Sequence, residues 1–247
     1  MTLDAQTTFT ESNSTRRGRY KAEIASVSPM SSRSTFEQHD TCFLGVSLEN
    51  ANFTPAKLRS MVKWISRRFS HCTVLVGDSI HRITLESTGS ITPGDAQLRA
   101  LELGREFIED MSEIFDEYCD STDFIYLKCS EVADSQEFSK FHTELRSFFS
   151  ENESFKSSVE SFGRAYHGKH SREVSEAEWE KRIKMSSDYF LEEFAIFACL
   201  QQQGIPVMIY PGSFSTLSEI AGGEHPMAPQ ELRDLIVVSL HLKGRGS

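Results

Sequence analysis

The chain has 247 residues and a formal net charge of −10, from 26 Lys and Arg against 36 Asp and Glu. This length suits one large domain around a single core, or at most two small ones. The acidic balance gives no overall field to attract nucleic acid or anionic lipid. No run reaches the roughly 18 apolar residues of a membrane helix, and the eight histidines lack the spacing of a metal site. The five cysteines form no C-x-x-C pair, which favours a reduced, cytoplasmic location.

Residues 1–35 are rich in Ser and Thr with little periodicity, which predicts a mobile tail, and 244–247 is predicted to be a loose end. Between them, 36–243 alternates short apolar runs with helical patterns. The runs predicted to be strands are TCFLGVS (41–47), HCTVLVG (71–77), DFIYLKC (123–129), IPVMIY (205–210) and LIVVSLHL (235–242). Continuous apolar runs are typical of a parallel sheet that is covered on both faces.

Helical patterns occupy the segments between these strands, at 54–69, 95–118, 135–150, 151–166 and 175–203. Thr54 and Pro55 supply an N-cap and a first-turn proline for the first of them, and Ser175 with Glu178 forms a capping box for the last. Strands that alternate with helices predict a single doubly wound α/β domain, with a mainly parallel five-stranded sheet flanked by helices.

Ser47 is the last residue of the first predicted strand, at the edge of the sheet where open α/β folds bind ligands. Such a serine can be purely structural, because serine and asparagine make local hydrogen bonds in turns. A hydrolase nucleophile elbow, G-x-S-x-G, needs a glycine where this chain has Glu49. His225, beside a proline, and His241, inside a predicted strand, are poor candidates for the histidine of a triad.

Nucleotide-binding loops are missing from the sequence, since neither G-x-G-x-x-G nor G-x-x-x-x-G-K-[ST] occurs. The stretch KMSS at 184–187 is similar to the ATP-binding loop of class I aminoacyl-tRNA synthetases. It lies, however, inside a continuous helical pattern without flanking glycines, and no His-Ile-Gly-His partner accompanies it. We therefore expect no ATP-dependent activation and no cofactor.

Three stretches, taken together, resemble one enzyme family: FLGVSLENANF at 43–53, SSDYFLEEF at 186–194 and IPVMIYPGSF at 205–214. In this order and at these separations they resemble the cyclodipeptide synthases, over about residues 40–242. The resemblance implies a Rossmann-like domain related to tyrosyl- and tryptophanyl-tRNA synthetases, which uses two aminoacyl-tRNAs to make a 2,5-diketopiperazine. We expect the protein to be a monomer. Tyr210 with Pro211 is similar to one branch of the family and Asn50 to the other, and we favour the Tyr-Pro branch.

The resemblance also implies roles for individual residues. Ser47 would be the nucleophile that carries aminoacyl and dipeptidyl esters in a ping-pong mechanism, with Asn50 as its polar neighbour. Tyr189 and Glu193 would hold the α-amino group of the substrate, and Tyr210 would orient Ser47 and the reacting ester. The pocket for the first amino acid would be formed by Phe43, Gly45, Leu75, Ile196 and Met208.

The pair Tyr189 and Glu193 suits its implied role, because residues four apart share one helix face and can converge on one ammonium. A carboxylate binds that cation through charge-assisted hydrogen bonds. Taken alone, Glu193 could equally be an exposed helix residue, and the apolar pocket residues could be ordinary core.

Basic residues that could bind a tRNA backbone are few. The helix at 95–118, which is basic in some members of the family, has only Arg99 and Arg105 among many acids. The candidates are instead Lys57, Arg59, Lys63, Arg67 and Arg68 on the first helix, or Arg164, Lys169 and Arg172. Either cluster could also be a solvated helix face.

Two other functions stay open. A serine hydrolase of the α/β type would need a histidine that acts on Ser47. A non-catalytic relative of the synthetases would bind tRNA or an amino acid without turnover.

Overall fold

The computed structural model describes residues 19–89, 91–170 and 175–245. Its strands are β1 (Arg19–Ser28), β2 (Thr41–Val46), β3 (His71–Val76), β4 (Asp123–Lys128), β5 (Val207–Pro211) and β6 (Ile236–Arg245). Its α-helices are α1 (Pro55–Ile65), α2 (Asp78–Thr88), α3 (Pro93–Asp116), α4 (Cys129–Ala133), α5 (Gln136–Glu151), α6 (Glu153–His170), α7 (Glu176–Gln202), α8 (Ser215–Ala221) and α9 (Gln230–Arg233). Short 3-10 helices occupy Met30–Ser34, Phe36–Gln38 and Ala51–Phe53. No helix in this described part is long and apolar enough to cross a membrane.

All six strands form one sheet in the order β1-β6-β5-β2-β3-β4. Neighbouring strands are parallel except β1, which runs antiparallel to β6 at the edge. The predicted doubly wound α/β architecture is therefore confirmed, and each of the five predicted strands is found within two or three residues of its predicted ends. The predicted number of strands was wrong, because the sheet has six.

The extra strand, β1, lies in the segment that was predicted to be mobile. Its side chains alternate in burial, with Ala22 and Val27 buried and Lys21 exposed, and its register shifts between Ile24 and Ser26. An antiparallel edge strand needs only one apolar face, so it lacks the continuous apolar run that identified the other strands. The prediction of a tail over 1–35 is thus wrong for 19–35, while 1–18 lies outside the described residues.

The loose end predicted at 244–247 is also corrected in part. Strand β6 extends to Arg245, where it pairs with β1. Residues 246–247 lie outside the described part of the chain.

The helices cover both faces of the sheet. Phe43 and Leu75 point from β2 and β3 into the core under α7, whereas Leu44 and Val74, one position along, point into the core under α1 and α3. This alternation follows from the period of two in a strand. The five predicted helices correspond to α1, α3, α5, α6 and α7, while α2, α4, α8 and α9 were not predicted.

The order of winding reverses between β2 and β5. From β2 the chain proceeds outward to β3 and β4, and it then returns to place β5 on the other side of β2. The pairs Phe43–Met208 and Leu44–Ile209 join the two central strands. A crevice at such a switch point, beyond the carboxyl ends of the strands, is where open α/β sheets bind ligands.

Candidate active site

A cavity of about 540 Å³ opens at this switch point. Its walls come from the loop after β2, from α2, α6 and α7, and from the segment that follows β5. The lining side chains include Ser47, Glu49, Asn50, His81, Phe162, Ser186, Tyr189, Phe190, Glu193, Tyr210, Phe214 and Thr216.

The loop that carries Ser47 is held to the end of β5. Glu49 adopts a φ of 56°, a left-handed conformation that is uncommon for a residue with a side chain. Asn50 then caps the short helix Ala51–Phe53 by accepting a hydrogen bond from the backbone nitrogen of Asn52 at 2.9 Å. The side-chain nitrogen of Asn52 donates to the carbonyl oxygen of Pro211 at 3.2 Å. These bonds hold the loop, and Ser47 with it, at the switch point.

Ser47 lies close enough to the hydroxyl groups of Tyr189 and Tyr210 to affect the pKa of each phenol. Burial raises the pKa of Tyr189 and of Tyr210, and the nearby Glu193 raises both further, whereas a hydrogen bond with Ser47 partly opposes the increase at each phenol. The side-chain nitrogen of Asn50 donates to the hydroxyl oxygen of Tyr210 at 3.4 Å. Ser47 is therefore flanked by two phenols that stay protonated at neutral pH.

Glu193 lies deep in the cavity, with only 8% of its surface exposed. Burial raises the pKa of its carboxyl to about 8, and a hydrogen bond from Tyr189 limits that increase. Its Oε2 atom is buried and makes no hydrogen bond within the described part of the chain. A buried carboxyl oxygen without a hydrogen-bond donor is destabilising, so this atom is suited to receive a donor from a ligand. A cation bound there would favour the ionised form of the carboxyl.

The five residues predicted to be catalytic thus come together around one cavity, although they lie on three separate segments. Asn50 donates to Tyr210. Ser47 affects the pKa of both tyrosines, and Tyr189 affects that of Glu193. Their catalytic roles remain predictions.

The residues predicted to form the first amino-acid pocket are not among those that line the cavity. Phe43, Leu75, Ile196 and Met208 are buried core residues, and the ring of Phe43 lies 5.4 Å from that of Phe197. Gly45 faces Tyr210, because an added Cβ would lie 3.6 Å from the Tyr210 ring. Contact of these residues with a substrate stays a prediction.

Other side chains of the cavity were not predicted from the sequence. His81 on α2 is buried, and its Nε2 lies 3.0 Å from Oε2 of Glu49. Ser186 and Phe190 share the cavity face of α7 with Tyr189 and Glu193. The spacing 186, 189, 190, 193 is that of one helix face, so this signal was available, whereas His81 lies on a helix that was not predicted.

The five basic candidates of the first helix segment have different surroundings. Arg59 pairs with Glu117 and Arg68 with Glu37, and the Lys57 ammonium donates to the carbonyl oxygen of Ala51 at 2.8 Å. Lys63 and Arg67 are exposed, and neither forms an ion pair with an acid of the described ranges. Of the second cluster, Arg164 pairs with Glu160, while Arg172 and the side chain of Lys169 lie outside the described part.

His, Cys, Asp and Glu side chains form no group of three or more that could hold a metal ion, as far as the described residues go.

Comparison with known proteins gives one family. The family model described as cyclodipeptide synthase matches residues 26–231. A cyclodipeptide synthase from Fluoribacter dumoffii has a TM-score of 0.78 at 21% identity, over 92% of this chain and 100% of its own. One from Candidatus Glomeribacter gigasporarum, bound to Phe-tRNAPhe, has a TM-score of 0.67 at 16% identity, over 87% of this chain and 92% of its own.

A Mycobacterium tuberculosis protein, whose structure is described as relating cyclodipeptide synthetases to type I tRNA-synthetases, has a TM-score of 0.68 at 14% identity, over 92% of this chain and 94% of its own. At these identities the structural likeness concerns the fold. No curated protein matches the chain.

Proposed function

The chain belongs to the cyclodipeptide synthase family, and from that premise we propose that it joins two aminoacyl groups, each taken from an aminoacyl-tRNA, into a 2,5-diketopiperazine. The observation that carries the proposal is the buried Oε2 of Glu193, which accepts no hydrogen bond within the described chain. Tyr189 lies between this carboxyl and Ser47 and affects the pKa of Glu193. An α-ammonium at this oxygen would bring the adjacent ester carbonyl towards the Ser47 hydroxyl.

The first step is an exchange of one ester for another. The Oγ atom of Ser47 attacks the carbonyl carbon of the aminoacyl ester, the bond to the ribose oxygen breaks, and the serine proton ends on that oxygen. Because the substrate is already an activated ester, the step needs no strong base, and the product is an aminoacyl ester on Ser47.

The second step requires the amine of the enzyme-bound aminoacyl group as the nucleophile. It attacks the ester carbonyl of the second aminoacyl-tRNA, the tRNA leaves, and a dipeptidyl ester remains on Ser47. If the amine of the second aminoacyl-tRNA attacked the Ser47 ester instead, Ser47 would be released and the dipeptide would remain on the tRNA. In the third step the free amine of the dipeptide attacks the Ser47 ester, closes the six-membered ring and frees the serine.

Glu193 is suited to remove the proton from this amine. An α-amino group has a pKa of about 7.7–8.0, and burial raises the pKa of Glu193 to about 8. Proton transfer between groups of similar pKa is nearly balanced in energy, which favours general acid–base catalysis near neutral pH.

The hydrogen bonds also suggest a path for protons between Ser47 and Glu193. Asn50 donates to the oxygen of Tyr210, so the Tyr210 hydroxyl can donate to Ser47. Ser47 can then donate to Tyr189, and Tyr189 to Glu193. In this arrangement Tyr210 orients the Ser47 oxygen. In the third step Tyr189 can pass the proton that Glu193 takes from the attacking amine to the departing Ser47 oxygen.

The two alternative functions fit this arrangement less well. A serine hydrolase needs a histidine hydrogen-bonded to the serine, whereas Ser47 interacts with two tyrosines and His81 directs Nε2 to Glu49. A protein that only binds tRNA or an amino acid does not require a nucleophilic serine placed between two phenol hydroxyl groups.

The test is mass spectrometry of the wild type, Ser47→Ala and Ser139→Ala, an exposed serine on α5 that serves as the control. Each is produced in a bacterial host, the medium is searched for cyclic dipeptides, and the purified protein is incubated with total aminoacylated tRNA. We expect cyclic dipeptides and an aminoacyl adduct from the wild type and from Ser139→Ala, and neither from Ser47→Ala.

Absence of both signals in the wild type would contradict the proposal and favour a binding protein. Reaction of Ser47 with a fluorophosphonate that is lost in His81→Gln, without any aminoacyl adduct, would instead favour a hydrolase.

A further inference from the structure

Phe162 is an exposed aromatic ring at the cavity. Its side chain is 43% exposed and belongs to α6. The other large apolar residues with exposed side chains in the described ranges are Met30, Leu98, Ile125 and Met227. None of these is aromatic and none lines the cavity. Phe162 is therefore distinguished both by its chemistry and by its place.

The ring of Phe162 is held in position by its packing against α7. Its centroid lies 4.7 Å from that of Phe190, with the planes at 79°. An added Cβ on Gly163 would lie 2.9 Å from the Cβ of Ser186, so this glycine allows α6 to approach α7 closely. An edge-to-face contact with a buried ring supports Phe162 and still leaves much of its surface open. Such a ring is a preformed surface for stacking.

The charges of the cavity indicate which part of a substrate could reach this ring. The described residues that line the cavity include Glu49 and Glu193 but no Lys or Arg. A phosphate would therefore meet no positive charge there, whereas the uncharged base and ribose at the end of a tRNA would meet an aromatic ring and hydroxyl groups. One of these is Ser186, whose Oγ lies 3.0 Å from Nε2 of the buried His167.

The spacing along α7 agrees with this assignment. Phe162 contacts Phe190, which lies within one turn of Glu193 on α7, and its neighbour Gly163 faces Ser186, which lies two turns before Glu193. The ring therefore packs on the stretch of α7 between Ser186 and Phe190. Two turns span roughly 10 Å. Because Ser47, Glu193 and Phe162 line the same cavity, the nucleoside of an amino acid bound at Glu193 and Ser47 would have the ring of Phe162 within the same cavity.

We propose that Phe162 stacks on the 3′-terminal adenine of an aminoacyl-tRNA. The proposal rests on the proposed function, which supplies the tRNA. Aromatic side chains recognise single-stranded nucleotides in this way, and loss of one stacked base weakens binding by about tenfold or more.

The test compares two RNAs and four proteins. The RNAs are uncharged tRNA and the same tRNA without its terminal adenosine, and the proteins are the wild type, Phe162→Ala, Phe162→Trp and Phe162→Leu. We expect the terminal adenosine to strengthen binding to the wild type and to Phe162→Trp by about tenfold, but to have little effect with Phe162→Ala or Phe162→Leu. Met227→Ala, at a residue that is 75% exposed and away from the cavity, should behave as the wild type.

Two results would overturn the proposal: wild-type binding that is indifferent to the terminal adenosine, or Phe162→Ala that keeps the full dependence on it. Thermal unfolding of each variant shows whether it is folded, and Phe162→Leu keeps an apolar side chain if Phe162→Ala does not fold. Failure of the proposed function is distinguishable, because the wild type would then acquire no adduct on Ser47 from aminoacyl-tRNA.

Discussion

Glu193 keeps its proton to a higher pH in the folded chain than in the unfolded one, because burial raises the pKa of its carboxyl from 4.5 to about 8. Between these values the folded state binds more protons than the unfolded state. The free energy of unfolding therefore falls as the pH rises through this window, by at most about 1.4 kcal/mol per pH unit. The burial of Glu193 thus lowers the stability of the fold near neutral pH, at the group that is proposed to bind the substrate amine.

Glu193→Gln should remove this pH dependence. We expect the variant to gain stability relative to the wild type as the pH rises from about 5 to about 8, because glutamine has no proton to lose. Urea unfolding over a series of pH values measures the difference. Glu180→Gln, at an exposed position on the same helix, is the control and should follow the wild type. A difference that does not change with pH would assign the burial penalty to another group.

Phe43 allows a test of the predicted first pocket. Phe43→Ala removes a fully buried ring, so we expect a loss of about 3–5 kcal/mol of stability and, if the pocket is correct, a product mixture with larger first residues. Leu44→Ala is the matched control, since Leu44 is equally buried but lies in the core on the other face of β2. It should destabilise the chain without altering the products. If the product masses are also unchanged in Phe43→Ala, Phe43 is ordinary core.

At the scale of elements, the start of α2 is held by a buried carboxylate. Asp78 accepts hydrogen bonds from the backbone nitrogens of Ser79 and Ser130, at 2.7 and 2.9 Å, and from the Ser130 hydroxyl at 2.6 Å. Helix α3 packs against it at Gly104, where an added Cβ would lie 2.5 Å from the Asp78 Cβ. These contacts fix α2, which carries His81 into the cavity.

Gly104→Ala should therefore destabilise the chain, although alanine is the better helix former by about 1 kcal/mol. The methyl group would collide with an aspartate that three hydrogen bonds hold in place, and overpacking of this kind costs about 1–3 kcal/mol. Gly94→Ala, in the same helix with nothing within 4 Å of the added Cβ, is the control and should be neutral or stabilising. Thermal unfolding of both variants decides, and equal stability of the two would contradict the predicted collision.

The elements that the sequence predicts best are those in which one signal dominates. Continuous apolar runs identified β2 to β6, and the N-cap signals at Thr54 and Ser175 identified the starts of α1 and α7. Strand β1 and helix α2 were missed because each buries only part of its surface and is rich in polar residues. Since α2 forms one wall of the cavity, its absence from the prediction also hid His81 and its contact with Glu49.

Only part of the candidate site could be predicted from the sequence, and the reason is related. Ser47, Tyr189 and Tyr210 lie in stretches that resemble a family, so their convergence was expected before any geometry was known. The unpartnered oxygen of Glu193 and the exposed ring of Phe162 depend on how α6, α7 and the sheet pack together. No local pattern reports on packing between distant segments.

At the scale of the whole molecule, the proposed function requires an acidic protein to bind an acidic RNA. With a net charge of −10, the overall field opposes tRNA, so binding depends on local cations that are not already neutralised. Arg59 and Arg68 are paired with Glu117 and Glu37, whereas Lys63 and Arg67 are exposed and make no ion pair with a described acid. We therefore expect these two side chains to contribute more to phosphate binding than their neighbours.

The double variant Lys63→Ala/Arg67→Ala should bind tRNA more weakly than the wild type at low salt and should lose less affinity as salt is added. Each phosphate contact contributes about 0.7–0.9 to the slope of log K against log salt, because each releases condensed counterions. We expect the slope to fall by about 1.5 in the double variant, measured by tRNA binding at several salt concentrations. Arg59→Ala is the control, since its guanidinium already pairs with Glu117, and its slope should stay near that of the wild type. If the slope is unchanged in the double variant, Lys63 and Arg67 release no counterions and do not contact phosphate. The RNA backbone would then bind to another face of the protein.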